Sequence, residues 1–398
     1  MFPLLLFSAW LNYIDRGTLS VAAPVIAPEF GMDPQRVGIL LSAFFWTYAT
    51  LQPVAGWVVD RYPVKWVYGL GFAFWTGATL LTGFSGGFVT LLACRVLLGI
   101  GESVAYPCYS KVITNHFPEG RRGIANALID AGTKGGPAVG NFIAATFIAS
   151  AGWRPFFIGL GAITFLWLLP WSRVTLNDGP VAGHRSEPAP PMSALLTRGH
   201  FWGTCFGLFL FNYNYYFLLT WLPSYLVNER KLDLKAMGIV GALPWLATVA
   251  AAIGFGLLSD RAIRNGASAG RLRPTVVVAG EVLCALALPF ARSVDPWVAY
   301  GFMIVAFAGV GVATSNIWAY SQLLAGPTLS GRWTGIQNGF GNLGGVAAPI
   351  LTGYLVKTTG TFESAFLTSA AAVFLSGVCY AAVFWLVRRN RFAAASAA

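Results

Sequence analysis

Residues 56–65 read Gly-Trp-Val-Val-Asp-Arg-Tyr-Pro-Val-Lys, and the same spacing of glycine, aspartate and arginine returns in Gly-Leu-Leu-Ser-Asp-Arg at residues 256–261. A second repeat pairs one set of small and polar residues with another: Gly123, Asn126, Asp130, Gly132 and Pro137 with Gly335, Asn338, Asn342, Gly344 and Pro349. The two halves of the chain are therefore duplicates, a design that is typical of membrane proteins built from repeated helical bundles.

The composition indicates that most of the chain faces lipid. Of its 398 residues, 56% are hydrophobic and 10% are charged, whereas a soluble domain has roughly 25% charged residues. Apolar stretches long enough to cross a bilayer recur along the whole sequence. We predict twelve spans: 2–28, 37–59, 66–85, 87–113, 121–149, 152–172, 199–227, 236–258, 272–291, 295–323, 332–358 and 362–387. The predicted fold is an all-α membrane protein with two pseudo-symmetric six-helix bundles around a central cavity.

Basic residues are distributed unequally between the two sides of these spans. With a cytoplasmic N-terminus, fifteen lie inside: Arg61, Lys65, Arg121, Arg122, Arg173, Arg185, Arg198, Arg261, Arg264, Arg271, Arg273, Arg332, Arg388, Arg389 and Arg391. Seven lie outside: Arg36, Arg154, Arg230, Lys231, Lys235, Arg292 and Lys357. This excess predicts a multi-pass protein of a bacterial inner membrane with both termini cytoplasmic. The first span carries Asp15 and Arg16 and lacks a cleavage site, so we expect it to stay in the membrane.

The longest polar interruption divides the spans six and six. It covers residues 173–198 and is rich in proline and charge, which is typical of a linker. We predict an N-terminal bundle at 1–172, a cytoplasmic linker at 173–198 and a C-terminal bundle at 199–398. Because one chain supplies both bundles, a monomer is expected.

Two repeated bundles favour a transporter, since rocking one half against the other exposes a midplane site to each side in turn. A membrane receptor would need a sizeable soluble signalling segment, which the sequence lacks. The sequence also has no metalloprotease, nucleophile-elbow or phosphate-loop motif, so we expect no enzyme activity, no cofactor and no nucleic-acid partner. The cysteines have no metal-type spacing and are expected to pack within the spans: Cys94, Cys108, Cys205, Cys284 and Cys379.

Ionisable residues inside a span cost roughly 2.5–3.5 kcal/mol each even on a lenient scale, so each needs a partner or a role. Arg95 and Glu102 lie on one helix face, about 10.5 Å apart along its axis. An arginine keeps its charge while a carboxylic acid can take up a proton, so this pairing can couple an anion to protons. Asp15 and Arg16 point about 100° apart and must each find another partner. Static ion pairs that fix helix packing are the alternative.

Four further positions favour structural roles. Asn126, Asp130 and Lys134 form a polar stripe with the acid in the favoured order before the lysine. Glu281 has no evident partner in the sequence, and we expect it to face another helix of its bundle or the interface.

The pattern Gly56-x-x-x-Asp60-Arg61-x-x-x-Lys65, with its echo, resembles the loop signature of the major facilitator superfamily. Together with twelve spans and the duplication, the resemblance covers nearly the whole chain. It implies a cytoplasmic gate made by four residues: Asp60, Arg61, Asp260 and Arg261.

Four segments resemble the anion:cation symporter branch of that family, which includes bacterial sugar-acid symporters and animal sialic-acid and glutamate carriers: Leu11–Arg16, Tyr48 with Gln52, Arg95–Glu102 and Asn212–Leu226. The resemblance implies proton-coupled uptake of a carboxylate. Arg16 would grip the substrate, Asp15 and Glu102 would accept protons, and Arg95 would partner Glu102. Further implied substrate contacts are Tyr13, Tyr48, Gln52, Ser315, Trp318 and Asn338.

The sequence departs from the sugar-acid members at two positions. Thr133 stands where they would supply a glutamine, and Ile317 where a second hydroxyl is expected, so an aromatic or short aliphatic carboxylate remains an alternative substrate. Asn212 and Tyr216, four residues apart in the seventh span, are expected to face the cavity. Their segment has no arginine, which favours a monoanion. Exchange of anions without protons is the other open alternative.

Overall fold

The computed structural model describes residues 1–117, 119–176 and 195–396, without the side chains of residues 119–124, 126, 127, 130, 327–331 and 390–396. Every regular element in these ranges is helical. We number twelve helices in chain order: α1 Phe2–Glu29, α2 Pro34–Arg61, α3 Val64–Thr82, α4 Phe88–His116, α5 Glu119–Ala151, α6 Trp153–Ser172, α7 Gly199–Ser224, α8 Leu234–Arg264, α9 Ala269–Arg292, α10 Pro296–Gly326, α11 Arg332–Thr359 and α12 Glu363–Ser396. Most of the predicted linker, residues 177–194, lies outside the described residues.

The predicted all-α fold with twelve spans is confirmed. Eight of the helices are long and apolar enough to cross a membrane by length and composition alone: α2, α4, α6 and α8 to α12. The other four include α1, which carries Asp15 and Arg16 among its apolar residues. Most helix ends lie within about three residues of the predicted boundaries, as at α5, which was predicted at 121–149. The predictions were wrong at two ends, since α8 continues to Arg264 beyond the predicted 258 and α12 to Ser396 beyond the predicted 387.

Aspartate side chains fix the starts of two helices. Asp33 accepts a hydrogen bond from the backbone N–H of Arg36 (2.8 Å) at the start of α2. Asp295 accepts from the backbone N–H groups of Trp297 (2.8 Å) and Val298 (3.3 Å) at the start of α10. Both satisfy N–H groups that have no partner within the helix, and a proline follows each at the first helical position, where it needs no donor.

Three helices depart from regular geometry. The α4 helix is interrupted by a turn at residues 103–104, directly after Glu102. A π-helical turn, Tyr225–Glu229, continues α7. The backbone bends at Gly326, whose φ of 69° lies in the left-handed region that favours glycine. Such interruptions free backbone groups, which is why they concentrate at functional positions.

The chain forms two compact units, which we describe separately. Unit one comprises Met1–His184, Leu218–Ala242 and Pro349–Phe362, so it includes the described parts of α1–α6 with segments of α7, α8 and α11. Within unit one, Ser20 donates to the carbonyl of Leu219 (3.0 Å). Unit two comprises three other segments: Arg185–Phe217, Leu243–Ala348 and Glu363–Ala398.

Glycines bring the helices of unit one into close contact where charged residues lie. A Cβ atom on Gly136 of α5 would lie 2.6 Å from Cβ of Tyr13 on α1. A Cβ on Gly101 of α4 would lie 2.6 Å from the backbone nitrogen of Trp75 on α3. These approaches are too close for any larger residue and hold α1 and α4 against their neighbours, as expected for small residues at membrane helix interfaces.

Candidate functional site

The centre of the candidate site in unit one is an ion pair between α1 and α4. Arg16 Nε lies 2.7 Å from Glu102 Oε2. The side chain of Arg16 is 2% exposed and that of Glu102 is 0% exposed. Two charges removed from water in this way need each other, because each is costly to bury alone.

Three aromatic rings surround the Arg16 guanidinium. Its Cζ atom lies 4.6 Å from the ring centre of Tyr13, 4.8 Å from that of Phe44 and 4.3 Å from that of Tyr48. Phe44 and Tyr48, one turn apart on α2, stack with ring centres 5.0 Å apart. The rings stabilise the cation electrostatically and leave only defined directions open for an anion. Tyr13 and Tyr48 were predicted here, whereas Phe44 was missed.

Glu102 is paired directly with Arg16, where the sequence pointed to Arg95. Arg95 is buried and lies over Phe44, with Cζ 5.6 Å from the ring centre. It interacts electrostatically with both Glu102 and Asp15, without a direct ion pair to either among the described residues. Two cations and two acids thus share one buried cluster.

Asp15 is the second acid of this cluster. It is 2% exposed, and neither of its carboxyl oxygens has a hydrogen-bond partner of good geometry among the described residues. The groups with which it interacts are Thr79 on α3, Arg95 and Glu102. A nearby cation favours the ionised form of a buried carboxyl group, and a nearby acid opposes it.

Two further observations concern predicted substrate contacts of unit one. The hydroxyl oxygen of Tyr13 lies 3.5 Å from that of Tyr106. Gln52 is half-buried on α2, one turn after Tyr48.

Unit two contains the neutral polar residues that were predicted as substrate contacts. Tyr216 donates a hydrogen bond to Asn342 Oδ1 (2.7 Å). The Asn342 amide donates in turn to the carbonyl oxygen (2.9 Å) and the side-chain oxygen (3.2 Å) of Asn338. Asn212 lies beside this chain, because a Cβ on Gly341 would be 3.1 Å from its amide nitrogen. Tyr216 and Asn338 are therefore connected through Asn342.

A second hydrogen-bond chain connects Ser315 to a predicted gate residue. Ser315 donates to the carbonyl of Val312 (2.6 Å) and accepts from Asn316 (2.9 Å). Asn316 Oδ1 accepts from Arg273 (3.0 Å), which also pairs with Asp260 (3.2 Å). The sequence analysis used Arg273 only as a topological charge and missed Asn316. Asn316 follows Ser315 on α10, and Arg273 contacts it from α9.

The remaining gate residues lie at the surface. Asp60, Arg61 and Arg261 are exposed. Lys111 of α4 donates to the backbone carbonyls of Val59 and Asp60, the latter at 3.3 Å, and so fixes the end of α2.

Trp318, which was predicted as a substrate contact, is half-buried on α10.

The positions at which the sequence departs from sugar-acid carriers are buried. Ile317 is 1% exposed in unit two, and Thr133 is 5% exposed in unit one. Lys134 is also buried. The side chains of Asn126 and Asp130 lie outside the described residues, so their predicted stripe stays a prediction.

Among the described residues, no three His, Cys, Asp or Glu side chains are grouped to hold a metal ion. Four of the cysteines are buried and Cys379 is half-buried, as expected for packing residues.

Comparisons with known proteins agree on a transporter. The sequence model of the Major Facilitator Superfamily matches residues 5–349. The chain is 32% identical to a probable sulfoacetate transporter of Cupriavidus necator, over 91% of this chain and 88% of that one. It is 29% identical to a hexuronate transporter of Bacillus subtilis, over 94% and 92%, and 29% identical to a probable galactarate/D-glucarate transporter of Escherichia coli K12, over 95% and 92%.

The fold is similar to that of a solved transporter. A bacterial homologue of the human lysosomal transporter Spinster, in an inward-facing and unoccupied conformation, matches with a TM-score of 0.79 at 19% identity, over 98% of this chain and 96% of that one.

Proposed function

The chain belongs to the Major Facilitator Superfamily, and on that premise we propose that it is a secondary active transporter that carries a small organic carboxylate into the cell together with protons. Alternating access of two repeated bundles provides the movement. Relatives named as carriers of sulfoacetate, hexuronate and galactarate or glucarate support an organic acid as the substrate class.

One observation carries the proposed coupling: Arg16 is the direct partner of the buried acid Glu102 (2.7 Å). A planar guanidinium is suited to bind a substrate carboxylate in a bidentate manner. When substrate occupies that guanidinium, Glu102 loses part of the charge that stabilises it as an ion. Buried without a full partner, Glu102 then takes up a proton. Release of substrate restores the ion pair and expels the proton.

Asp15 and Arg95 give the cluster a second acid and a second cation. Asp15 has no direct ion pair among the described residues, and the charged groups with which it interacts are Arg95 and Glu102. In the proposed cycle, Asp15 is a second proton acceptor and Arg95 balances whichever acid is charged. The number of protons moved then follows from the two acids together rather than from either alone.

The predicted substrate contacts of unit two are neutral and polar. Asn338, Tyr216 and Ser315 offer amide and hydroxyl groups that can donate or accept. They carry no charge, which favours a monoanion held by Arg16. A sugar acid fits this set of groups. A short aliphatic monocarboxylate is the second candidate, supported by Ile317 in place of a hydroxyl.

The test is uptake of labelled acids into proteoliposomes that contain the purified protein. The panel holds a hexuronate, an aldonate, sulfoacetate and an aromatic acid, each with and without an inward proton gradient. We expect gradient-driven accumulation of one class in the parent protein and its loss in Glu102→Gln, which cannot exchange a proton.

The matched control is Glu363→Gln, which neutralises an exposed glutamate paired with Arg292 at the start of α12. Accumulation should persist in that variant. Uptake that responds neither to the gradient nor to Glu102→Gln would overturn proton coupling and leave a uniporter or an exchanger.

A further inference from the structure

Unit two contains one buried acid that the proposed transport cycle does not use. Glu281 lies on α9 and is 0% exposed. No Lys, Arg or His of the described residues forms an ion pair with it, and its Oε2 atom has no hydrogen-bond partner. An ionised carboxylate in this position would lack any compensating charge, which costs several kcal/mol.

The hydrogen bonds of Ser376 on α12 indicate the charge state of Glu281. Ser376 Oγ lies 2.8 Å from the backbone carbonyl oxygen of Gly207 on α7 and 2.7 Å from Glu281 Oε1. A carbonyl can only accept, and a hydroxyl has a single proton to donate. If that proton goes to Gly207, the short contact with Glu281 needs a proton from the carboxyl group. Both hydrogen bonds form only when Glu281 is protonated.

The groups around Glu281 are also uncharged. Cys284 lies one turn further along α9, and Cys379 and Tyr380 face Glu281 from α12. From α7, Asn214 donates to the sulfur of Cys284 (3.5 Å). The α10 helix presents small residues where it packs beside Gly280, namely Gly309, Val312 and Ala313. Thiol and phenol groups stay neutral at physiological pH, so no neighbour in the described part of the chain provides a counter-charge.

We propose that Glu281 is a resident proton site: its carboxyl group holds a proton that is donated to Ser376, stays bound through the transport cycle, and ties α7, α9 and α12 together as a neutral hydrogen-bonded group. The site differs from Asp15 and Glu102, which lie beside buried arginines. Glu281 therefore contributes nothing to the number of transported protons.

The test is infrared spectroscopy of the full-length protein in lipid, taken as the difference between the parent and Glu281→Gln. We expect the parent to show the carbonyl stretch of an undissociated carboxylic acid that Glu281→Gln removes. The band should persist from about pH 5 to about pH 9, where an ordinary glutamate of pKa about 4.3 is ionised. The absence of such a band, or its loss when a transported acid is added at fixed pH, would overturn the proposal.

Two variants make the test independent of how well any single one folds. Glu281→Gln keeps an N–H donor for Ser376, so we expect transport within about twofold of the parent, since a neutral donor is retained. Ser376→Ala removes the acceptor, and the acid band should shift to the frequency of a carboxyl without a hydrogen bond. An unshifted band in Ser376→Ala, or loss of proton-coupled uptake in a well-folded Glu281→Gln, would contradict a resident proton.

Discussion

Arg16 is stabilised by one carboxylate and three aromatic rings, and these contacts restrict the direction from which an anion can approach it. A lysine in its place would keep the charge but lose the flat surface that stacks on Phe44 and Tyr48. The rings also exclude water, which strengthens the interaction of the guanidinium with a carboxylate.

Phe44 is the simplest residue with which to test this arrangement. Phe44→Leu keeps an apolar side chain but removes a ring face from Arg16 and from Arg95. Each buried cation–π contact contributes about 0.5–2 kcal/mol, so we expect KM for the transported acid to rise by about 2- to 30-fold. Initial uptake rates at several substrate concentrations measure the effect.

The matched control is Phe45→Leu on the same helix. Phe45 is equally buried, and its ring packs against Phe44 in an edge-on contact rather than over Arg16. A change in KM as large in Phe45→Leu as in Phe44→Leu would mean that general packing of α2 explains the effect.

Spacing along one helix predicted which residues share a face but not which atoms meet. Arg95 and Glu102 do belong to one buried cluster, yet the direct partner of Glu102 is Arg16, from a helix distant in sequence. Thr79 beside Asp15 was missed for the same reason, because it lies on α3. Phe44 had a signal in the sequence, since it precedes Tyr48 by one turn.

At the scale of elements, the contact between α1 and α5 sets the position of Tyr13. In Gly136→Ala, the new Cβ would lie 2.6 Å from Cβ of Tyr13. Overpacking of this kind costs about 1–3 kcal/mol, more than the gain of about 1 kcal/mol from replacing a helical glycine. We expect a lower thermal midpoint together with weaker substrate binding, measured on purified protein in detergent.

Gly159→Ala in α6 is the control for the propensity effect alone. A Cβ there meets no atom within 4 Å. The midpoint of thermal unfolding of Gly159→Ala should equal or exceed that of the parent. A stable, fully active Gly136→Ala would contradict the role of this glycine in close packing.

The loop before α2 carries an exposed ion pair within unit one. Asp33 caps α2 and lies 2.9 Å from Lys357 at the end of α11. Asp33→Asn keeps a good helix cap and loses only the exposed ion pair, which should lower the free energy of unfolding by about 0–1 kcal/mol. Asp33→Ala loses the cap as well, which should lower it by about 0.5–2 kcal/mol more. The midpoint of thermal unfolding near neutral pH should be highest for the parent, lower for Asp33→Asn and lowest for Asp33→Ala.

The same pair gives a defined pH dependence. The backbone N–H of Arg36, followed by Lys357, lowers the pKa of Asp33. A lowered pKa means that the contribution is fully present above the ordinary value of about 3.9 and is lost as pH falls through the lowered pKa. The difference between the parent and Asp33→Asn should therefore shrink on acidification. A difference that grows at low pH would contradict this assignment.

The positions of the helices could be predicted from apolar length, but their interruptions could not. The sequence predicted a continuous fourth span at 87–113, whereas the helix breaks directly after Glu102. Ser103 is a weak turn signal by itself, and a single serine inside an apolar run does not mark a break. The π-helical turn after α7 likewise follows from packing that local propensity does not encode.

At the scale of the whole molecule, the two repeated halves have diverged in chemistry. The predicted substrate contacts on α7, α10 and α11 are all neutral, whereas those of the first half combine the buried acids and arginines of α1 and α4 with the neutral residues Tyr13, Tyr48 and Gln52. The repeat itself was evident in the sequence. The lack of an arginine in the polar and aromatic cluster around Asn212 and Tyr216 was evident there as well.

The proposed coupling predicts a proton movement that can be measured without a membrane gradient. Binding of a carboxylate to Arg16 should make the purified protein take up protons, because Glu102 loses its partner. By reciprocity, acidification should strengthen substrate binding. A pH-indicator dye in weakly buffered solution measures the uptake. It should be strongly reduced in Glu102→Gln and unchanged in Glu363→Gln. Release of protons when the substrate binds would contradict the proposed protonation of Glu102.

The separation of charged from neutral residues also affects how the substrate preference of such a transporter can evolve. In the proposed cycle, mutations in α7, α10 or α11 change the neutral substrate contacts and leave the residues that couple transport to protons unchanged. In a bacterial population forced to grow on an unfamiliar acid, we expect the first adaptive changes in these three second-half helices, with Arg16 and Glu102 left untouched.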